Sequence, residues 1–226
     1  AASDVYKRQE KYMYKIKIED GSIKIKNKYI LENINLEFES GKTYGLYGRN
    51  GSGKTVLMKS IIGLMKLTEG KVICNDKIIG KDSDFIPDAG ILIEEPTFYG
   101  QYSAVTNLKL LAGIRKNIPV SEIKKDIEAV GLDPEDSKKV SKFSLGMQKR
   151  LGIAQAIMED PGILILDEAT SALDEDGVKW FRSFMLEQKK KNKLIIISSH
   201  IREDIELLCD EVISLEHGRV VGHKTY

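Results

Sequence analysis

Residues 43–55 decide the fold, and they read Thr43-Tyr-Gly-Leu-Tyr-Gly48-Arg49-Asn50-Gly51-Ser52-Gly53-Lys54-Thr55. From Gly48 onward the stretch matches the pattern G-x-x-x-x-G-K-[ST], between an apolar run typical of a buried strand and an amphipathic run, 56–65, typical of a helix. The glycines allow the backbone to curl, so that successive N–H groups point at phosphate oxygens at the helix N-terminus. We therefore expect residues 48–55 to bind phosphates, with Lys54 reaching the β- and γ-phosphates and the Thr55 hydroxyl binding Mg²⁺. The alternative, a glycine-rich turn that happens to precede a lysine, leaves the strand and the helix on either side unexplained.

Further apolar runs also end in polar residues suited to chemistry. The runs are 90–93, 163–166 and 194–197, and they are followed by Glu94, by Asp167-Glu168 and by Ser198-Ser199-His200. Continuous apolar runs are typical of parallel strands that are buried on both faces. Because open parallel sheets bind ligands at the carboxyl ends of their strands, we expect these residues to meet the phosphate-binding loop at one edge of a sheet.

The remainder of the chain differs in pattern from this parallel core. Alternating runs predict half-buried strands at 14–18 and 34–38, and short polar turns predict hairpins at 75–77 and 217–218. From about residue 96 to 161 the periodicity is helical, with Ser121 and Ser144 as expected helix N-caps. The predicted fold class is therefore α/β: a P-loop NTPase core with a mostly parallel sheet, an antiparallel β subdomain and an inserted α-helical subdomain.

Length and composition exclude the secreted, disulfide-rich, fibrous and integral-membrane classes of protein. The 226 residues allow one large domain or two modest ones, and a net charge of +1 gives no electrostatic reason to expect nucleic acid as a partner. Cys74 and Cys209 are too few and too far apart for a disulfide scaffold, which predicts buried thiols in a reducing compartment. The apolar runs are far shorter than the roughly 20 residues of a membrane-spanning helix. Residues 1–12 are expected to be a disordered or non-native leader, ahead of a domain covering 13–226.

Asp167 and Glu168 supply what a Mg²⁺-dependent nucleotide site still needs. Asp167 can bind Mg²⁺ through its water shell, and Glu168 can polarise the attacking water. Taken alone, an apolar strand followed by Asp-Glu fits a purely structural helix cap as well as it fits a catalytic site. The phosphate-binding loop earlier in the chain favours the catalytic interpretation.

The stretch after Glu168 contains Ser171-Ala-Leu-Asp174, and the two together resemble the Walker B motif and D-loop of ABC-type ATPases. The resemblance covers nearly all of 13–226, and it implies that the chain hydrolyses ATP to ADP and phosphate with Mg²⁺. His200 is similar to the family's switch histidine, which would contact the γ-phosphate. Considered singly, His200 is also consistent with an ordinary surface histidine.

Residues 143–147 resemble the family's signature motif, LSGGQ. Ser144 and Gly146 are retained, whereas Leu145 and Met147 replace Gly and Gln. A serine hydroxyl and the amides of a helix N-terminus form an anion site, although an ordinary serine-capped helix also explains Ser144 alone. In the family this surface faces the γ-phosphate of the opposite subunit. The resemblance therefore implies a homodimer that encloses two ATP molecules, with Ser144 and Gly146 among the ATP-binding residues.

Differences from the family pattern indicate which members of the family the chain resembles. The Q-loop glutamine aligns with Glu94, whose carboxylate is expected to contact Mg²⁺ or the lytic water; Glu95 takes that place if the alignment is shifted by one. The aromatic residue that usually stacks on adenine aligns with Ile25, and Tyr29 lies close by. In its glutamate and its altered signature motif, the chain resembles the ATPase subunits of bacterial exporters that serve bacitracin and lantibiotic self-protection and multidrug efflux.

The resemblance also implies partners and a location. The chain is expected to be peripheral at the cytoplasmic face of the cell membrane, paired with a second ABC ATPase subunit and with a separate integral-membrane permease. Phe98, Tyr99 and Tyr102 either contact that permease or are ordinary core residues of the helical insertion. One alternative is an ABC ATPase in a non-transport assembly, such as iron–sulfur cluster scaffold work. A P-loop kinase or GTPase is disfavoured because the sequence has no N-K-x-D stretch.

Overall fold

In the computed structural model, which describes residues 13–115 and 118–226, the chain forms a six-stranded and a four-stranded sheet. The expectation for residues 1–12 lies outside the described residues. No helix in the described ranges combines the length and the apolar character needed to cross a membrane.

The six-stranded sheet has the order β10-β9-β3-β8-β7-β6. Its strands are β3 (Thr43–Tyr47), β6 (Ala89–Leu92), β7 (Ile163–Asp167), β8 (Leu194–Ser198), β9 (Glu211–Glu216) and β10 (Arg219–Thr225). Neighbouring strands from β9 to β6 are all parallel, and β10 pairs antiparallel with β9 through the predicted hairpin at 217–218. The four apolar runs therefore lie side by side in one sheet, and their polar ends share one edge.

Both faces of this sheet are covered, as strand β7 shows. Ile163 and Ile165 pack in a hydrophobic cluster shared with the antiparallel strands, whereas Leu164 and Leu166 pack in a second cluster shared with the helical insertion. Successive side chains of a strand point to opposite faces, so the two clusters lie on opposite sides of the sheet. This arrangement explains why the strand sequence is apolar without alternation.

The four-stranded sheet is antiparallel throughout and has the order β2-β1-β4-β5. Its strands are β1 (Lys15–Ile25), β2 (Lys28–Glu39), β4 (Glu69–Cys74) and β5 (Lys77–Ile78). Asn75 and Asp76 join β4 to β5 with φ values of 44° and 66°, the left-handed conformation of a type I′ hairpin turn. The antiparallel subdomain and its predicted hairpin are therefore confirmed.

Helices connect the strands and fill the predicted insertion. They are α1 (Lys54–Ile62), α2 (Ala104–Arg115), α3 (Val120–Ala129), α4 (Leu145–Ile157), α5 (Glu175–Lys189) and α6 (Arg202–Leu208), with a 3₁₀ turn at Val140–Lys142. Between β6 and β7 the described residues form α2, α3, the 3₁₀ turn and α4, and they contain no strand. The α-helical insertion is thus confirmed within a mixed α/β fold.

Two helix boundaries differ from the sequence-based expectation. Ser121 is not the N-cap of α3, because the helix already begins at Val120 and the Pro119 carbonyl accepts from the N–H groups of Glu122 and Ile123. Pro119 takes the N-cap position with φ −57° and ψ 141°, so the helix starts two residues earlier than a Ser121 cap would place it. Helix α1 ends at Ile62 rather than at residue 65, because Gly63 adopts a left-handed φ of 91° at the C-cap.

Both cysteines are buried, as predicted. Burial raises the pKa of the Cys74 thiol to about 11 and that of the Cys209 thiol to about 12. Both side chains are therefore protonated at neutral pH and behave as small apolar groups.

Candidate active site

The phosphate-binding loop leaves β3 at Gly48 and enters α1 at Lys54. Gly51 and Gly53 have φ values of 80° and 109°, which glycine adopts without strain. Ser52 contributes a buried hydroxyl oxygen with no hydrogen-bond partner among the described residues. A buried unpaired oxygen in a loop of this shape fits a site whose remaining hydrogen bonds come from a phosphate ligand.

Lys54 lies across this loop, and its side chain is 5% exposed. Its ammonium donates to the carbonyl oxygens of Gly48 at 2.7 Å and Arg49 at 3.3 Å, and lies 3.7 Å from Glu168 Oε1. A buried ammonium requires such partners because desolvation of an isolated charge is costly. The arrangement places one positive charge between the loop and the carboxylate at the end of β7.

Thr55 and Asp167 lie together at the same edge of the sheet. The Thr55 hydroxyl donates to Asp167 Oδ2 at 2.6 Å, and the Ser198 hydroxyl donates to Asp167 Oδ1 in a short hydrogen bond. Within 13–115 and 118–226, no group of three or more His, Cys, Asp or Glu side chains is arranged to hold a metal. One hydroxyl beside one carboxylate instead fits Mg²⁺, which is commonly bound by one or two protein oxygens together with substrate phosphates.

Glu168 and His200 are in direct contact. His200 Nδ1 lies 2.8 Å from Glu168 Oε2, and the Glu168 side chain is 26% exposed. The Glu168 backbone has a left-handed φ of 47°, and its N–H donates to Ser198 Oγ at 3.0 Å. The structure thus brings Lys54, Glu168 and His200 into one cluster beside Thr55 and Asp167.

Sequence reasoning expected Ser198 at this sheet edge but assigned it no specific role, and the structure shows that it joins the Asp167 carboxylate to the backbone of Glu168. Its hydroxyl donates to Asp167 and accepts from the N–H of Glu168. A signal was present, since Ser198 ends β8 at the same sheet edge as the other site residues. Its contact with β7 depends on strand order, which the sequence alone does not state.

Glu94 lies at the end of β6, where its carboxylate pairs with Lys59 Nζ at 2.5 Å. Lys59 is on α1, one helical turn after Thr55, so Glu94 lies on the side of the site formed by that helix. The neighbouring Glu95 lies 3.5 Å from Lys149 Nζ of α4. The structure therefore places adjacent glutamates between the core and the helical insertion, and sequence reasoning missed both lysines.

Ser144 and Gly146 lie at the start of α4, on the helical insertion rather than in the Lys54–Glu168–His200 cluster. Ser144 is the N-cap predicted from the sequence, since its hydroxyl oxygen accepts from the N–H of Met147 at 3.2 Å. Gly146 is required by close packing, because an added Cβ would lie 2.9 Å from the carbonyl oxygen of Ala172. The start of α4 therefore packs on the loop that follows Glu168.

The position aligned with an adenine-stacking aromatic is exposed. Ile25 ends β1 with 52% of its surface accessible, and the nearby Tyr29 ring has the Lys24 ammonium 5.0 Å from its centroid. Strand β2 continues to the phosphate-binding loop, where Leu31 lies 3.0 Å from the position of a Cβ on Gly53. The β1–β2 hairpin thus borders the same site.

Comparisons with known proteins agree with this geometry. A family model described as ABC transporter matches residues 31–171. The chain is 47% identical over 197 residues to the uncharacterized ABC transporter ATP-binding protein YybJ of Bacillus subtilis strain 168, covering 87% of this chain and 90% of YybJ.

Other relatives carry names that refer to cargo. The chain is 39% identical to the bacitracin transport ATP-binding protein BcrA of Enterococcus faecalis, over 85% of this chain and 63% of BcrA. It is 36% identical to the lantibiotic transport ATP-binding protein SrtF of Streptococcus pyogenes, over 87% of this chain and 85% of SrtF. The chain thus spans less than two thirds of the length of BcrA.

A solved structure shares the fold. The dimeric post-hydrolysis state of the ATP-binding cassette MJ0796, bound to ADP and Pi, matches with a TM-score of 0.83 and 21% identity, over 93% of this chain and 98% of that chain. A family model covers more than half of the sequence, and YybJ is related at 47% identity over most of its length. The chain therefore belongs to the ABC transporter family, as an ATP-binding subunit that hydrolyses ATP to drive transport.

Proposed function

We propose that this chain is the ATPase subunit of a bacterial exporter for antimicrobial peptides or drugs, and that it acts as a homodimer with a separate permease at the cytoplasmic face of the cell membrane. ATP hydrolysis is supported chiefly by the position of the Glu168 carboxylate, which lies 2.8 Å from His200 Nδ1 and 3.7 Å from Lys54 Nζ. The names of BcrA and SrtF refer to bacitracin transport and lantibiotic transport, and they support antimicrobial peptides as the cargo. Because these relatives are named for transport, a non-transport assembly is not favoured.

In this proposal, ATP binds with its phosphates on the backbone N–H groups of residues 48–55. The Ser52 hydroxyl and the Lys54 ammonium complete the cradle, and Ile25 packs on the adenine ring in place of an aromatic residue. Thr55 and Asp167 hold Mg²⁺, with Glu94 as a further oxygen ligand. Mg²⁺ held there would supply positive charge that stabilises the phosphates during hydrolysis.

Glu168 is the proposed general base. His200 Nδ1 fixes the position of Oε2, which leaves Oε1, the oxygen on the Lys54 side, to take a proton from the attacking water. Correct placement of a base of this kind contributes about 10²- to 10⁴-fold in rate. His200 would also contact the γ-phosphate, so that one side chain orients both the base and the substrate.

Lys59 compensates the negative charge that Glu94 adds to the site. A carboxylate beside a triphosphate would repel it, but the ion pair with Lys59 at 2.5 Å compensates the charge. With ATP and Mg²⁺ bound, Glu94 would be one of the residues available to contact the ion or the attacking water. The lysine then remains near the phosphates, where its positive charge is favourable.

The position of the signature motif supports the proposed homodimer. Ser144 is exposed, and its hydroxyl can donate a hydrogen bond while it accepts one from Met147. Together with the N-terminal amides of α4, it forms a surface that favours negative charge. We propose that this surface, including Gly146, faces the γ-phosphate bound by a second copy of the chain.

The aromatic residues after Glu94 were expected either to contact the permease or to pack in the core of the helical insertion, and they differ in exposure. Phe98 is partly buried against the hydrophobic cluster of the insertion, so it is a core residue. Tyr99 and Tyr102 are 59% and 41% exposed, and their ring centroids lie 6.1 Å apart. We propose that these two tyrosines contact the permease, since exposed aromatic side chains are enriched at interface cores.

A pull-down tests the transport part of the proposal. The tagged chain is recovered from detergent-solubilised membranes of its host, and its partners are identified by mass spectrometry. We expect a protein with many membrane spans at stoichiometric yield, reduced by the double substitution Tyr99→Ala and Tyr102→Ala. The matched control is Tyr226→Ala, which removes a tyrosine that is 53% exposed elsewhere on the chain. Recovery of soluble partners alone would contradict a role in transport.

The cargo class is tested in the host. Disruption of the gene is expected to increase susceptibility to bacitracin or to a lantibiotic, and expression of the unaltered chain should restore resistance. Unchanged susceptibility to both classes would contradict antimicrobial peptides as the cargo while leaving the ATPase assignment intact.

A further inference from the structure

A buried carboxylate outside the predicted site connects the segments that carry Glu168 and His200. Asp204 lies on α6 and is 1% exposed. Its Oδ2 accepts from the hydroxyls of Thr170 at 3.0 Å and Ser199 at 3.2 Å, and its Oδ1 lies 2.7 Å from the Arg182 guanidinium. A buried charge with this set of partners is fixed in place, because the loss of any partner would leave a polar group unsatisfied.

The partners of Asp204 belong to three functional segments. Thr170 follows Glu168 in the loop after β7, and Ser199 immediately precedes His200 after β8. Arg182 lies on α5, the helix that Asp174 caps at the end of the D-loop. A single carboxylate thus joins the loop of the proposed base, the loop of the histidine and the helix that follows the D-loop.

We propose that Asp204 is a positioning residue for ATP hydrolysis, which keeps the Glu168 carboxylate and the His200 imidazole in contact. Thr170 and Ser199 donate to the same oxygen atom, so the two loops are held at a fixed separation. The Arg182 ion pair ties this separation to the position of α5. The inference rests on the proposed role of Glu168 and adds a residue that does not touch the substrate.

The chain provides a matched control. Glu203, the neighbour of Asp204, also pairs with Arg182, at 3.0 Å, but its side chain is 74% exposed. Exposed ion pairs contribute little, whereas a buried and multiply bonded carboxylate contributes much more. Asp204→Asn and Glu203→Gln therefore remove the same charge from the same arginine, and only the first disturbs the connection between the loops.

The experiment measures single-turnover hydrolysis, ATP affinity and the imidazole NMR signals of the full-length chain. The sequence has three histidines, so the signals are few, and the His200→Ala variant identifies that of His200. For Asp204→Asn we expect hydrolysis to fall by about 10- to 100-fold, the magnitude of a lost hydrogen bond to a charged group, with ATP affinity within about threefold of the wild-type value. The His200 signals should shift, while those of His217 and His223 should stay in place. Glu203→Gln should match the unaltered chain in every measurement.

A second variant keeps the test decisive if Asp204→Asn does not fold. Thr170→Val removes one hydroxyl, keeps a side chain of similar shape and leaves the ion pair between Asp204 and Arg182. We expect this variant to hydrolyse ATP more slowly with unchanged ATP affinity. An unaltered hydrolysis rate in the folded variants, or His200 signals that do not move in Asp204→Asn, would overturn the proposal. Failure of the underlying function is distinguishable, because Glu168→Gln would then retain hydrolysis as well.

Discussion

Removal of the His200 imidazole tests whether the contact with Glu168 matters for hydrolysis. In His200→Ala, the hydrogen bond of 2.8 Å to Glu168 Oε2 is lost, while the ion pair of Glu168 with Lys54 remains. A hydrogen bond to a charged group contributes about 1.5–3 kcal/mol, and each 1.36 kcal/mol corresponds to a tenfold change in rate, which gives a loss of about 10- to 100-fold in kcat. ATP affinity should fall by much less than kcat, because the phosphate-binding loop is unaltered and only the proposed contact of His200 with the γ-phosphate is lost from binding.

The assay is phosphate release at saturating Mg²⁺ and ATP, together with ATP binding measured by calorimetry. His223→Ala is the matched control, since His223 Nε2 also lies 2.8 Å from a glutamate, Oε2 of Glu211, in another part of the fold. An unchanged kcat in His200→Ala would refute the reasoning, as would an equal loss in His223→Ala.

Further substitutions test other parts of the account. Lys54→Ala should abolish measurable ATP binding by calorimetry, and unchanged affinity would refute the phosphate-loop assignment. Ser198→Ala removes a hydroxyl that joins Asp167 and Glu168, so denaturant unfolding should show a loss of about 1–3 kcal/mol and kcat should fall; equal stability and activity would contradict this role. Burial raises the pKa of Asp126 to about 6, so the folded state is penalised when this carboxyl ionises above that pH. Asp126→Asn should therefore raise Tm by a few degrees near neutral pH, with the gain shrinking as the pH falls through about 6 and vanishing near pH 4; a gain that does not depend on pH would contradict the cause.

The features that the sequence predicted correctly depend on local spacing. The pattern from Gly48 to Thr55 specifies its own strand–loop–helix geometry, and continuous apolar runs identified the parallel strands. The hairpin at 75–77 and the Ser144 cap are also local, since each is decided by a few neighbouring residues. The Ser121 cap was wrong because the helix begins earlier, at Val120 after Pro119, and a serine near a helix start does not by itself decide which residue is the cap.

The features that were missed depend on contacts between distant segments. Lys59 and Glu94 are on different elements, and their ion pair follows from the placement of β6 beside α1. Asp204 lies in the charged stretch Arg-Glu-Asp-Ile-Glu, which is typical of an exposed helix, yet it is 1% exposed. Only the packing of α6 against the loops after β7 and β8 distinguishes it from its exposed neighbour Glu203.

Glu168→Gln tests the central claim most directly, that Glu168 is the base of an ATPase that acts as a dimer. Glutamine keeps the size of the side chain but does not accept a proton, so hydrolysis should fall by about 10²- to 10⁴-fold while ATP still binds. Light scattering after size-exclusion chromatography with ATP should show a nucleotide-bound dimer, and Glu187→Gln, an exposed glutamate paired with Lys190, should behave as the unaltered chain. Hydrolysis at the wild-type rate, or a monomer with ATP bound, would contradict the account.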